Sequence, residues 1–382
     1  MAVVQYNYPT VIKFGAGAIK LASDALKQRG LKRPLIVTDR ALAPLPMIVD
    51  LAANLEQAGL IPSVYAGVFG NPTESQVKAG VKAYHEHGAD SLVIIGGGAP
   101  LDVGKAVALM VNHPGQLFDY EDGKPDARPV DQPVPFMITV PTTSGTGSEV
   151  GRSSVVSDDH THAKKIIFDP KLLPPLVLAD PELTYGLPAA VTAAVGFDAL
   201  THNIEAFLAK GNHPMADGIA LEGVRLVSQH LVKAVRNPTD YEARAGMQQA
   251  SLMGAVAFQK GLGVTHSCAH ALSTVYDTHH GLANALMLNA CMEFNLSAVP
   301  ERLARLGQVV GIKSLDQTAL AKGFIDWLAS LRKEVGLPAG LAAIGAKTTD
   351  ALLDFAVADP CHGSNPRPVT REDFVKLYAR AQ

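Results

Sequence analysis

The chain has 382 residues, a formal net charge of −3, and 47% hydrophobic against 18% charged residues. That length is enough for about two to three domains, and the composition supports a large buried core. The near-neutral balance gives no electrostatic footprint for nucleic acid or an anionic membrane, and no apolar run reaches the roughly 18 residues of a membrane span.

The first half alternates short apolar runs with helical stretches. Pro34-Leu-Ile-Val-Thr-Asp39 reads as a buried strand ending in a carboxylate. A helix follows over residues 47–58, a short strand over 62–68 and a helix over 81–87. Ser91-Leu-Val-Ile-Ile-Gly-Gly-Gly98 is a strand running into a glycine turn, and residues 102–111 form the next helix. Residues 136–143 and 176–180 are further strands. Apolar runs of this length between helices predict βαβ units and a mostly parallel sheet.

The second half reads as helices almost throughout: 189–210, 214–235, 240–259, 283–295, 300–310, 315–335, 349–357 and 370–381. The sequence therefore predicts an α/β domain over residues 1–187 and an all-helical domain over 188–382, with a ligand expected in the cleft between them. Cys268, Cys291 and Cys361 are odd in number and lack CxxC spacing, so a disulfide framework is not expected. The start, Met1-Ala-Val-Val-Gln-Tyr6, has no basic stretch leading into an apolar core. No signal peptide and a cytoplasmic location are expected.

Two loops point to a nucleotide. Gly96-Gly-Gly-Ala-Pro-Leu-Asp102 follows a strand and opens a helix, where glycines admit a pyrophosphate to the free N–H groups. Thr142-Thr-Ser-Gly-Thr-Gly-Ser148 is a second loop after a strand, able to hold a nicotinamide, ribose or phosphate or simply to cap a helix. Asp39 at its strand end either accepts from ribose hydroxyls, favouring NAD over NADP, or caps the next helix.

A different chemistry is written in the second half. Asp198 and His202 are four apart, as are His266 and His270, so each pair shares a helix face. His280 follows in Thr278-His-His-Gly281. His279 beside it is ambiguous, because two adjacent histidines cannot both face one ion comfortably. A carboxylate with imidazoles suits a first-row divalent ion such as Fe(II) or Zn(II). Structural zinc would more often use cysteine, so this donor set predicts an enzyme.

With these motifs in place, the chain resembles the iron-containing (group III) alcohol dehydrogenases. The resemblance spans nearly the whole chain. It rests on Asn71-Pro-Thr, Gly96-Gly-Gly-x-Pro-x-Asp102, Pro141-Thr-Thr-x-Gly-Thr-Gly-Ser-Glu149, Asp180-Pro-x-Leu183 and Gly196-x-Asp-Ala-Leu-Thr-His202. Gly261-Leu-Gly-x-x-His-x-x-x-His270, His280-Gly-x-x-Asn284-Ala and Cys361-x-x-x-Asn365-Pro complete it. It implies an α/β dinucleotide-binding domain followed by a helical metal-binding domain. It implies Asp198, His202, His266 and His280 as metal ligands, with His270 beside them as a catalytic residue. It implies NAD contacts from Asp39, Asn71, Gly97, Gly98, Asp102, Thr142, Thr143, Lys164 and Leu183. Fe(II) is the family's usual metal, with Zn(II) in some relatives. The expected reaction moves a hydride between NAD(H) and a primary alcohol or aldehyde, in a homodimer or larger homo-oligomer.

The chain departs from the usual pattern at Ala99, Leu187 and Ser273, none of which removes a ligand. Asp359-Pro-Cys-His-Gly-Ser-Asn-Pro-Arg367 is closer to the 4-hydroxybutyrate dehydrogenase branch. There Cys361, His362 and Arg367 are candidates to meet a substrate carboxylate, which makes a hydroxy-acid dehydrogenase the alternative function. A dehydroquinate synthase-type lyase would need several cations near the ligands, and the flanking segments are neutral. A non-catalytic binding protein would not need both cofactor loops and a full ligand set.

Overall fold

Buried β-branched and leucine runs set the first architecture. The strands are β1 (Val11–Phe14), β2 (Pro34–Asp39), β3 (Ser63–Val68), β4 (Ser91–Gly96), β5 (Phe136–Pro141), β6 (Ser153–Ser157), β7 (Lys164–Phe168) and β8 (Leu176–Ala179). Six of them form one sheet in the order β1-β8-β5-β4-β2-β3, and every neighbouring pair is parallel. β6 and β7 make a separate antiparallel pair. The computed structural model describes residues 6–382; part of the stretch read for a signal peptide, residues 1–5, lies outside the described residues.

β4 is buried at every position, as a parallel sheet covered on both faces requires. Its alternate residues feed two cores. Leu92 and Ile94 join Leu35 and Val37 beneath α3 (Glu74–His87) and α4 (Gly98–Met110). Val93 and Ile95 join Ile36, Ile138 and Val140 beneath α1 (Ala22–Lys27) and α2 (Pro46–Gln57). The structure adds β1 and the β6–β7 hairpin to the predicted strands. β1 is short and largely exposed, so its strand character comes from pairing with β8 rather than from its own pattern. Likewise α3 begins at Glu74 and α4 at Gly98, each earlier than the hydrophobic periodicity suggests.

The remaining helices are α5 (Ala189–Leu208), α6 (Pro214–Arg236), α7 (Tyr241–Ala257), α8 (Val264–Tyr276), α9 (His280–Asn295), α10 (Pro300–Val309), α11 (Gln317–Glu334), α12 (Asp350–Ala358) and α13 (Arg371–Arg380). α5 is buried at every residue from Thr192 to Leu208. A helix apolar on all sides belongs at the centre of its domain, and α6, α7 and α9 pack around it. α9 comes very close: a Cβ on Gly281 would run into the Ala194 carbonyl, so only glycine lets α9 start there.

The chain thus divides into two compact units. One comprises Tyr8–Thr143 and Gly147–Thr184; the other comprises, among the described residues, Tyr185–Gln382 with Ser144–Thr146, Tyr6 and Asn7. Among the described residues, no helix is long and apolar enough to cross a membrane.

Candidate active site

Within the helical unit, α5 presents Asp198, His202 and Glu205 along one buried face. α8 contributes His266 and α9 its first residue, His280. Asp198, His202, His266 and His280 each offer a donor atom within 4.8 Å of the others. His280 Nε2 lies 3.2 Å and His202 Nε2 3.9 Å from Asp198 Oδ1. His279, which the adjacent-histidine spacing left ambiguous, is exposed at the start of α9 and outside this cluster.

Neighbours fix which atoms face inward. His266 Nδ1 donates to Glu205 Oε2 at 2.7 Å, which leaves Nε2 buried and without a hydrogen-bond partner. His202 Nδ1 donates to the Gly145 carbonyl at 3.3 Å, turning its Nε2 toward Asp198. Asn284 Nδ2 donates to Asp198 Oδ1 at 2.8 Å. Burial pushes His202 down to about 4, so it is neutral at physiological pH. Burial works against ionising Asp198, but His202, His280 and His266 hold its carboxyl well below the usual range. His266 is held above the ordinary value although burial opposes it, because Glu205 stabilises its Nδ1 proton.

This arrangement fits a divalent cation. Three imidazole nitrogens and a carboxylate oxygen gathered this closely form a donor set for such an ion, whose binding would require the neutral imidazoles and displace any proton on His266 Nε2. Hydrogen bonds from Nδ1 of ligating histidines to carboxylates or carbonyls commonly fix the ligating tautomer. An orphaned buried Nε2 costs free energy unless something binds it. Sequence reasoning gave Glu205 no role, because its significance lies in a contact 61 residues away.

His270 stands one turn beyond His266 and stacks on His280 with ring centroids 5.1 Å apart. Its Nδ1 donates to Asp359 Oδ2 at 2.7 Å. Asp359 Oδ1 also accepts from Ser267 Oγ at 2.7 Å and the Cys361 amide at 2.9 Å. Burial opposes ionisation of Asp359, yet His270 and Ser267 hold it below the ordinary carboxyl range. The other expected substrate groups have partners of their own. His362 Nε2 bonds the Val357 carbonyl, and Arg367 lies over the Phe294 ring while donating to the Phe294 carbonyl. A substrate carboxylate at Arg367 would compete with those contacts and with Asp373, 3.8 Å away.

In the α/β unit, the expected nucleotide loops sit where parallel sheets hold ligands, at the carboxyl ends of adjacent strands. Gly96 ends β4 opposite Pro141 of β5, and the Thr142 amide donates to the Gly96 carbonyl at 2.9 Å. Gly96 has a φ of +150°, and a Cβ there would strike the Pro100 ring at 2.6 Å. Gly97 precedes α4 and Gly98 opens it, with no side chain capping its first turn. Asp39 ends β2; one oxygen accepts from the amides of Ala41 and Leu42 at 2.9 and 2.8 Å. A hollow beside it is lined by Phe69, Gly70, Ala99 and Pro100. Asn71, Lys164 and Leu183 are half-buried in the same unit. Asp102 is turned to the protein itself: it accepts from Ser148 Oγ at 2.6 Å and the Val155 amide at 3.2 Å.

Residues 9–181 match the sequence model of the iron-containing alcohol dehydrogenases, and residues 192–382 match that of the family's C-terminal region. The chain belongs to the iron-containing alcohol dehydrogenase family. It is 36% identical to the NAD-dependent methanol dehydrogenase of Bacillus methanolicus, covering 99% of this chain and 100% of that one. It is 38% identical to the 4-hydroxybutyrate dehydrogenase of Cupriavidus necator, with 98% of each chain covered. Among solved structures, a 1,3-propanediol oxidoreductase superposes with a TM-score of 0.95 at 33% identity and complete coverage of both chains.

The loop after β5 is anchored by buried charge. Lys105 of α4 is fully buried and donates to Ser148 Oγ at 2.6 Å, to the Ser148 carbonyl at 3.0 Å and to the Ser153 carbonyl. Glu149 follows, buried, with Oε1 lacking a partner, and burial pushes its carboxyl up to about 7. Between the ordinary 4.5 and about 7, the native state therefore binds more protons than the unfolded chain, and stability falls as pH rises through that window. Glu149→Gln should flatten that slope. Chemical denaturation at pH values across the window checks this, and an unchanged slope in the variant would refute it.

Proposed function

We propose that the protein is a metal-dependent oxidoreductase that moves a hydride between NAD(H) and a primary alcohol/aldehyde pair. The observation that carries this reading is the convergence of Asp198, His202, His266 and His280, with an orphaned imidazole nitrogen among them. In this reading those four side chains hold the metal. When bound, the ion, Fe(II) by family or Zn(II) by the same donors, acts as a Lewis acid on the alcohol oxygen.

The chain's own residues do the rest. Glu205 and Asn284 keep the imidazole of His266 and the carboxylate of Asp198 aimed inward. His270 takes up or relays the hydroxyl proton: its Nδ1–H is committed to Asp359, so the Nε2 lone pair is the acceptor. Asp39, Asn71, Gly97, Gly98, Asp102, Thr142, Thr143, Lys164 and Leu183 contact NAD, and Asp102 also braces that edge through Ser148 and the Val155 amide. Asp39 caps residues 41 and 42 with one oxygen, which leaves the other for a ribose hydroxyl and makes a 2′-phosphate unwelcome. Bound NAD(H) would supply the hydride acceptor or donor, and the site's own task is to keep the reacting atoms close and dry.

Likeness to a 4-hydroxybutyrate dehydrogenase supports a second reading, an ω-hydroxy acid as substrate. The existing partners of Arg367 favour the uncharged alcohol. Comparing butyraldehyde, lactaldehyde and succinic semialdehyde as oxidants of NADH decides between the two.

Chelation of the holoenzyme should abolish alcohol oxidation, and one equivalent of Fe(II) should restore it. Full activity in metal-free protein would sink the proposal. Glu205→Gln should weaken Zn(II) affinity roughly 10- to 100-fold, read by competition with a chromophoric chelator; wild-type affinity would remove Glu205 from the site. Asp39→Gly should shift the ratio of kcat/KM values toward NADP, and an unmoved ratio would count against its ribose role.

A further inference from the structure

A second group of donors sits beside the first. His270, Asp359 and Cys361 each offer an atom within 4.8 Å of the other two, and all three are only partly buried. We propose that His270, Asp359 and Cys361 form an inhibitory site for a borderline-soft divalent cation such as Zn(II).

The argument starts from the protons on one carboxylate. Asp359 accepts from His270 Nδ1 at 2.7 Å, from Ser267 Oγ at 2.7 Å and from the Cys361 amide at 2.9 Å, and the Cys361 sulfur lies within 4.8 Å of the His270 and Asp359 donor atoms. The His270 proton occupies the space between the nitrogen and oxygen that a shared ion would take. Nitrogen and oxygen donors on a tetrahedral zinc stand about 3.4 Å apart, given bonds of about 2.0–2.2 Å. Opening the His270–Asp359 pair from 2.7 Å by well under 1 Å would admit the ion. Imidazole, carboxylate and thiolate with a fourth position for water is an ordinary set for Zn(II) or Co(II). The site is reachable: the side chains of His270 and Asp359 are 18% and 12% exposed, whereas Cys268 and Cys291 are fully buried.

Binding has a defined chemical consequence. The Cys361 thiol gives its proton to solvent and becomes thiolate. His270 releases its Nδ1 proton to solvent to bind the metal and takes one back from solvent on Nε2, a change of tautomer with no net proton gained or lost. No atom changes oxidation state. The ring is then a donor where the alcohol's proton needs an acceptor. The binding half stands on the donor set alone; the inhibitory half rests on the reading of His270 as the proton acceptor.

Cobalt separates the two clusters, because the Asp198 cluster contains no sulfur. The holoenzyme is titrated with Co(II) under anaerobic conditions while absorbance and 1-butanol oxidation are followed. The expected result is a thiolate-to-cobalt charge-transfer band that grows with a site of one equivalent and is missing in Cys361→Ser. Oxidation by the wild type should fall roughly 100-fold as the band saturates. No band, a band that persists in Cys361→Ser, or full oxidation at saturation would overturn the proposal. An enzyme that oxidises no alcohol before cobalt is added would instead refute the proposed function and leave the band to be read by itself.

Discussion

One carboxylate organises the helical unit. Glu205, buried in α5, accepts from the amides of Gly263 and Thr265 at 2.9 and 2.7 Å, the His266 amide at 3.3 Å and the His266 ring at 2.7 Å. The first three donors are the uncapped amides at the start of α8, and no side chain of α8's own N-cap, Gly263, could satisfy them. A negative charge at a helix N-terminus is stabilised by the exposed N–H dipoles. The same group therefore docks α8 on α5, caps it and orients a histidine. Losing it would leave several buried donors unsatisfied at once, each costing about 1–3 kcal/mol.

That constraint explains the unusual character of α5. Asp198, His202 and Glu205 lie in a helix that is otherwise almost entirely apolar. Isolated polar groups in such a place would be destabilising. Here each one answers another: Asn284 binds Asp198, the Gly145 carbonyl binds His202, and α8 binds Glu205. Glycine allows the close approaches. Gly281 admits α9 against the Ala194 carbonyl, which puts His280 at a helix start beside Asp198.

Much of this was legible in the sequence because it rests on local pattern. The strands β2, β4, β5 and β8 are continuous apolar runs, and the spacing of Asp198 and His202 reads directly as one helix face. What was not legible depends on distant partners. β1 carries no distinctive alternation and exists because β8 lies beside it. Glu205 and Asp359 look like ordinary acids until contacts 61 and 89 residues away give them roles. Asp102, expected from its glycine-rich motif to contact NAD, also holds Ser148 and the β6 backbone, 46 and 53 residues away, and no local pattern announces those contacts.

His266 and His270 show how orientation, rather than spacing, divides the labour. Both lie on α8, one turn apart, and both direct Nδ1 at a carboxylate. Glu205, which His266 faces, is buried, and the bond to it leaves the buried His266 Nε2 toward Asp198's cluster. Asp359, which His270 faces, sits on a partly exposed turn together with Cys361. The same hydrogen-bonded pair is thus enclosed in one case and accessible in the other. In the proposed function His266 would be a ligand, which must be held still, and His270 a proton carrier, which must be reachable and able to exchange. On that reading the difference in burial between two carboxylates lets one helix turn supply both.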